Sequence, residues 1–351
     1  MPVPEEATLA VNRGAVEHQA VDVLDTARRL ADDVLFPAAA QTDAADAVPR
    51  KHLDLFAEAG LYGLAGPVEH GGLGATPEVL RGVVEVLAGG CLATTFIWAQ
   101  HGGLVKLLQR SDPSPWRDGW LRRLCSGEAR GGLALGGLLP GEVRLRAEPD
   151  GDGWVVDGTS PWVSGWGLVD VVLVAARGPD DTVVWLMVDA VEGDGLAVHR
   201  QRLGAVDASV TVTAEFTGHP VPGDRLIRVE AFSADHYNMP EVLRQNGYLA
   251  LGVTGRCCRV LGPTPFDAEL AACRDHLGRA GPVDIAPARA AASHLALRAA
   301  SALVVATGSR AAVRHDPAER LAREAMFLLV FGSRPAIKAA LLDRFGIAGE
   351  G

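Results

Sequence analysis

Four groups of side chains in this 351-residue sequence could do chemistry. Trp162, Ser164 and Trp166 crowd one short stretch. Large aromatics on both sides of a hydroxyl suit a wall for a planar ring; the alternative for Ser164 is a strand hydroxyl bonded to neighbouring backbone. His70, His101 and His294 are the candidate proton carriers, since imidazole titrates near neutrality. Each has a structural alternative, His70 in a glycine-rich loop where binding groups gather and His294 on a helical run between Ala292 and Leu295. Glu241 stands in a helical first turn, where an acid either partners the helix dipole or serves as a general base. Arg334 directly precedes Pro335 and either meets a phosphate or lies on the surface. The cysteines Cys91, Cys125, Cys257, Cys258 and Cys273 form no CxxC pattern. No metal is therefore expected, and the vicinal pair Cys257–Cys258 reads as core packing.

These residues sit on elements of two periods. From Val16 to Arg130 the spacing is helical: Val23, Leu24, Ala27, Leu30, Ala31, Val34 and Leu35 recur on one face, and Pro37 is expected to stop the run. Leu53 to Gly60, Thr76–Pro77 to Ala88, and Leu92 to Leu108 follow as helices. From Gly131 to Glu230 the period becomes two. Trp154–Val156, Val169–Ala176, Thr182–Val188 and the alternating Ser209–Phe216 read as antiparallel strands. From Pro240 onward the pattern is helical again, with helices over Leu249–Leu261, Phe266–Leu277, Ala286–Thr307, Pro317–Val330 and Pro335–Leu342, rich in alanine and suited to a bundle. The expected organisation is α+β: an N-terminal α-helical domain (1–130), a β domain (131–235) and a C-terminal helical bundle (236–351).

Hydrophobic residues make up 48 % and charged residues 22 %, which excludes a disordered chain. The formal net charge of −10 offers no basic face for nucleic acid. Apolar runs such as Ala296–Ala306 read as too short to span a membrane, with Arg298 inside them. Glu5 and Glu6 stand where a signal peptide would carry positive charge, so a cytoplasmic protein is expected.

An α domain, a β domain and an α bundle in that order resemble the acyl-CoA dehydrogenase superfamily, and the resemblance runs along nearly the whole chain. His70-Gly71-Gly72-Leu73-Gly74 is similar to the family's Tyr-Gly-Gly-Leu-Gly. Asp150 to Thr159 resembles the strand entry before the flavin motif Trp-Ile-Ser/Thr, which here reads Trp162-Val163-Ser164. Leu203-Gly204-Ala205 to Phe216, then Pro220-Val221-Pro222, resembles the end of the family's β domain. Glu319-Arg320-Leu321-Ala322-Arg323-Glu324-Ala325 resembles the family's Glu-Arg-Leu-x-Arg-Asp-Ala.

The resemblance implies bound FAD, with Trp162 packed by the flavin ring, Val163 beside it, the Ser164 hydroxyl bonded to flavin N5 and Arg334 as a pyrophosphate contact. It implies a homodimer or homotetramer oxidising an acyl thioester by hydride transfer to flavin. The family's catalytic glutamate, however, lies in Tyr-Glu-Gly-Thr-Ser-x-Ile-Gln. The matching stretch, Phe331 to Lys338, has Gly332 at the glutamate position. The Thr-Glu-Pro-Gly-Ala-Gly-Ser-Asp stretch, the Arg-x-x-Phe-Gly segment and the glutamine of Gln-x-x-Gly-Gly are also missing. Glu241 and His294 remain as candidate catalytic residues. Two alternatives follow: a flavin-dependent monooxygenase of the same fold, or a degenerate subunit completing a heteromeric enzyme.

Overall fold

Proline and short polar caps set most helix starts. Pro77, Pro115, Pro240, Pro265, Pro317 and Pro335 each open a helix, because the first turn needs no N–H from proline. Thr76, Ser114 and Asp316 accept backbone N–H bonds from Val79, Arg117 and Ala318. The computed structural model describes residues 21–347; Glu5, Glu6 and Val16 lie outside the described residues.

Residues 21–29 are helical and run into a π-helical segment, Leu30–Leu35, then α1 (Phe36–Ala44). The stop expected at Pro37 does not occur. The wider turn, with Phe36 N–H donating to Ala31 O, lets the chain continue past the proline ring. Next come α2 (Arg50–Glu58), α3 (Pro77–Gly90), α4 (Leu92–Gln109) and α5 (Pro115–Ser126). The two glycines that end α3 allow close crossings. A Cβ on Gly89 would lie 2.9 Å from Gly252 O, and one on Gly90 2.9 Å from Ala31 Cα.

Eight strands follow: β1 (Gly131–Ala134), β2 (Leu145–Asp150), β3 (Gly153–Val163), β4 (Val171–Gly178), β5 (Thr182–Asp189), β6 (Leu196–Arg200), β7 (Val212–Val221) and β8 (Leu226–Ala231). They form one sheet in the order β6-β7-β3-β2-β4-β5-β8, with β1 on β4. Pairing is antiparallel except where β1 and β2 meet β4.

The last region holds α6 (Pro240–Leu261), α7 (Pro265–Arg279), α8 (Ile285–Thr307), α9 (Pro317–Val330) and α10 (Pro335–Arg344). Helix α6 begins at Pro240, not at Leu249. Its early turns carry Arg244, Gln245, Asn246 and Gly247, which hide the apolar period, and a Cβ on Gly247 would lie 2.5 Å from Leu277 Cδ2. The run read as too short for a membrane is longer than expected. Ile285–Ala312 covers 28 residues and holds an 18-residue stretch of mean hydropathy 1.3, long and apolar enough by composition alone. It packs on α6, α9 and α10 as the central helix of the bundle, with Arg289 buried inside.

The main core joins both helical regions to the sheet through Phe56, Leu87, Val163, Val174 and Leu295, and a second cluster packs α4 and α5 on β4 and β5. Charged pairs tie the chain's ends together: Arg256 on α6 meets Asp32, and Arg323 on α9 meets Asp43.

Candidate functional site

The end of β3 is built around a bulge. Ser160 pairs with Ala214 and Val163 with Val212, so β3 carries one residue more than β7 between these pairs. A bulge turns a side chain away from the regular alternation. Here it turns Trp162, which takes φ 64 and stays 61 % exposed. A left-handed conformation is costly for a bulky residue and clusters at functional positions. Two more lie close in the chain to the same hydrogen-bonded region, Val206 at φ 52 and Val210 at φ 48. Their loop is bonded to the β3 exit by Gly165 N–H to Ser209 O (2.7 Å) and Trp166 N–H to Val210 O (3.2 Å).

The neighbours of Trp162 differ from the expected arrangement. Val163 is fully buried in the core, so its side chain is a packing residue and not a cofactor contact. Ser164 is 1 % exposed, and its hydroxyl lies 2.7 Å from Thr211 Oγ1, which in turn lies 2.9 Å from Ser209 Oγ. The Ser164 hydroxyl is therefore held by neighbouring side-chain hydroxyls, and not by backbone as the structural alternative had it.

The α9–α10 turn holds Phe331, Gly332, Ser333 and Arg334. Gly332 takes φ 59, and a Cβ there would stand 2.8 Å from Asn246 Nδ2 on α6. Arg334 faces the backbone. It donates to Tyr237 O from Nε (2.9 Å) and Nη2 (2.8 Å), and to Gly332 O and Ser333 O from Nη1 (3.0 Å each), while stacking on the Tyr237 ring. Those four bonds correct its expected role as a pyrophosphate contact. Burial pulls its pKa down. A second arginine escaped the sequence reading. Arg289 on α8 is 1 % exposed and donates to Ser293 Oγ, Leu328 O and Phe331 O, the closing carbonyls of α9. Burial, then the nearby Arg334 charge, lowers its pKa to about 10. The one available signal was a charged residue inside an alanine run. Phe96 on α4 meets the rings of Phe327 (5.5 Å) and Phe331 (4.8 Å) edge-on and seals this end of the turn.

The two catalytic candidates have no partner in common. Glu241 is held by Arg81 of α3 at 2.8 Å and by Arg244 at 3.0 Å. Both carboxylate oxygens are thus engaged, Oε1 by Arg81 and Oε2 by Arg244. His294 is half-buried, with its ring edge-on to Phe345 at 5.2 Å. Desolvation first, then Arg344 and Arg298, pushes its pKa down. His70 holds its loop to α5, with Nε2 3.4 Å from Asp118 Oδ1. His101 is buried, and its Nδ1 accepts the Gly131 N–H at 2.9 Å. Burial drops its pKa to about 4, so the ring is neutral near pH 7 and its proton sits on Nε2. Among the described residues no group of three or more His, Cys, Asp or Glu could hold a metal ion.

Comparison with known proteins places this geometry. Residues 17–128 match the profile of the acyl-CoA dehydrogenase N-terminal domain. Short-chain specific acyl-CoA dehydrogenase of Bos taurus is 27 % identical over 212 residues, 58 % of this chain and 51 % of that protein. The 3-sulfinopropanoyl-CoA desulfinase of Variovorax paradoxus is 28 % identical over 172 residues, 46 % of this chain and 42 % of that protein. The chain thus spans about half the length of these curated relatives. Among solved structures, butyryl-CoA dehydrogenase from Megasphaera elsdenii superposes with a TM-score of 0.80 at 17 % identity, covering 93 % of this chain and 97 % of that one. Dibenzothiophene monooxygenase from Paenibacillus sp. A11-2 gives 0.75 at 18 % identity, covering 92 % and 97 %. The helix–sheet–helix order and these likenesses agree: residues 17–128 match the acyl-CoA dehydrogenase N-terminal domain, and the described chain has the fold of solved acyl-CoA dehydrogenases.

Proposed function

We propose that this chain is an FAD-dependent oxidoreductase of an acyl thioester, working as a homodimer or homotetramer in a reducing, cytoplasmic setting. The observation that carries the reading is the exposed indole of Trp162, held at φ 64 by a bulge where the family's tryptophan lies. The unpaired cysteines fit the compartment. Exposed Val305, Met326 and Val330 on the bundle fit an assembly.

The residues fit a flavin on one side. Trp162 offers an open aromatic face for a planar ring, whereas Ser164 and Arg334 have turned their polar atoms to Thr211 and to backbone carbonyls. When bound, flavin supplies the two-electron acceptor for a hydride. Trp162 would orient that ring, and the Phe96–Phe327–Phe331 cluster packs α4 against the α9–α10 turn. No carboxylate stands in that turn to take an α proton.

This last feature favours a second reading, in which a related chain supplies the missing carboxylate in a heteromer. The deciding experiment is an absorbance spectrum of the protein purified alone, before and after anaerobic addition of an acyl-CoA panel. A flavin band that bleaches supports the oxidoreductase. Reduction only by reduced flavin or NAD(P)H replaces it with an oxygenase, and flavin uptake only on co-expression with a related chain replaces it with the heteromer. Absence of flavin under all three conditions sinks the flavoprotein reading.

A further inference from the structure

The bulge that presents Trp162 is one of two registers open to β3. A slip of one residue would pair Trp162 with Val212, remove the extra residue and send the side chains that follow to the other face. The bulged register is also the strained one. Trp162 at φ 64, Val206 at φ 52 and Val210 at φ 48 are all left-handed, and such conformations persist where their surroundings over-determine them.

Four links join the β3 exit to the chain before β7. Val163 pairs with Val212. The Ser164 hydroxyl lies 2.7 Å from Thr211 Oγ1. Gly165 N–H donates to Ser209 O at 2.7 Å, and Trp166 N–H to Val210 O at 3.2 Å. Backbone bonds form whatever the side chains are, and apolar burial of Val163 is non-directional. The hydroxyl contact is the selective one, because a slipped strand would turn Ser164 away from Thr211. A buried polar contact of this kind can fix a register that apolar packing alone leaves open.

Thr211 is the centre of the contact, since its Oγ1 also lies 2.9 Å from Ser209 Oγ. Three hydroxyls supply a donor for each of the two contacts. Ser164, Ser209 and Thr211 are at most 2 % exposed, so water does not replace a lost partner, and a hydroxyl stranded there is costly.

We propose that Thr211 is a positioning residue: through Ser164 and Ser209 its hydroxyl locks the bulged register and so keeps the Trp162 indole presented. That the presented ring serves a flavin rests on the oxidoreductase reading; the lock itself does not.

The test is fluorine NMR of the full chain labelled with 5-fluorotryptophan. Of the seven tryptophans, Trp162 gives the resonance that disappears in Trp162→Phe. Thr211→Val keeps the side chain's shape, removes the hydroxyl and is expected to displace or split that resonance. Thr211→Ser keeps the hydroxyl and is expected to leave it in place. Added FAD should bind about tenfold more weakly to Thr211→Val than to the wild type, as when about one chain in ten holds the ring presented. Should Thr211→Val fail to fold, Ser164→Ala, which breaks one of the two contacts, is read in the same way. The proposal is overturned if a folded Thr211→Val or Ser164→Ala protein keeps the wild-type Trp162 resonance, or if Thr211→Ser disturbs it as much as Thr211→Val does. A displaced resonance in a chain whose wild type takes up no FAD supports the lock and sinks the flavin reading alone.

Discussion

Gly332 holds φ 59 with Asn246 Nδ2 2.8 Å from where a Cβ would stand. The position therefore lacks a carboxylate and also resists one. Gly332→Ala is expected to destabilise the fold by about 1 kcal/mol through left-handed strain and the Asn246 contact. Gly332→Glu should lose at least as much, with no gain of acyl-CoA-driven flavin reduction. Thermal unfolding and an anaerobic titration check both, and a gain of reduction would show that the turn can host a base. Trp162 offers the opposite test, because its φ of 64 is strained for a bulky residue while its indole is exposed. Trp162→Gly should raise apo stability by about 1 kcal/mol while weakening flavin uptake. A variant that unfolds more easily would mean that the indole is a packing residue. Neither position could be weighed in full from the sequence. The motif around Trp162 was visible, but its bulge and the inward turn of Ser164 depend on pairing with β7.

At the scale of elements, His101 joins α4 to β1, and its buried neutral ring makes that joint sensitive to acid. The folded-state pKa of about 4 lies below the ordinary 6.5. Between those values the unfolded chain binds the proton that the folded chain refuses. The stabilisation is thus complete above pH 6.5 and is lost as pH falls toward 4, by roughly 3 kcal/mol for a 2.5-unit difference. Urea midpoints across pH 4–7 measure it, and His101→Gln should flatten the profile. A slope unchanged in that variant would assign the acid sensitivity to other groups. Arg289 caps α9 from α8, and Arg289→Ala should cost about 3 kcal/mol in denaturant titrations through lost packing and bare carbonyls. A loss below about 0.5 kcal/mol would mean that water replaces the guanidinium. These joints link residues far apart in the chain, such as Arg334 with Tyr237 and Arg289 with Leu328. Periodicity reveals the helices on each side and not the bonds between them, so the elements were largely legible and their contacts were not. Where an element was misplaced, the cause is local: a π-helical turn carries the chain past Pro37, and a polar turn hides the start of α6.

For the whole molecule, the three-part order was legible because the residue period changes from helical to alternating and back, and because the motifs fall in sequence along it. The crossing of α3 on α6 was not, since it joins the two helical regions. The pairing of the chain's two ends also bears on how the protein is made. Asp43 meets Arg323 across 280 residues, and Asp32 meets Arg256 across 224. At a synthesis rate of about 5–20 residues per second, Asp43 waits roughly 15 to 55 seconds for its partner to be translated. Through that interval Val83, Val84 and Leu87 of α3, whose partners include α6, have no such cover. A fragment of residues 21–130 is accordingly expected to be protease-sensitive, with helical circular dichroism well below that of the same segment in the intact chain; a protease-resistant fragment would show that it folds alone. The nascent chain is then one that holding chaperones must shelter until its last helices arrive.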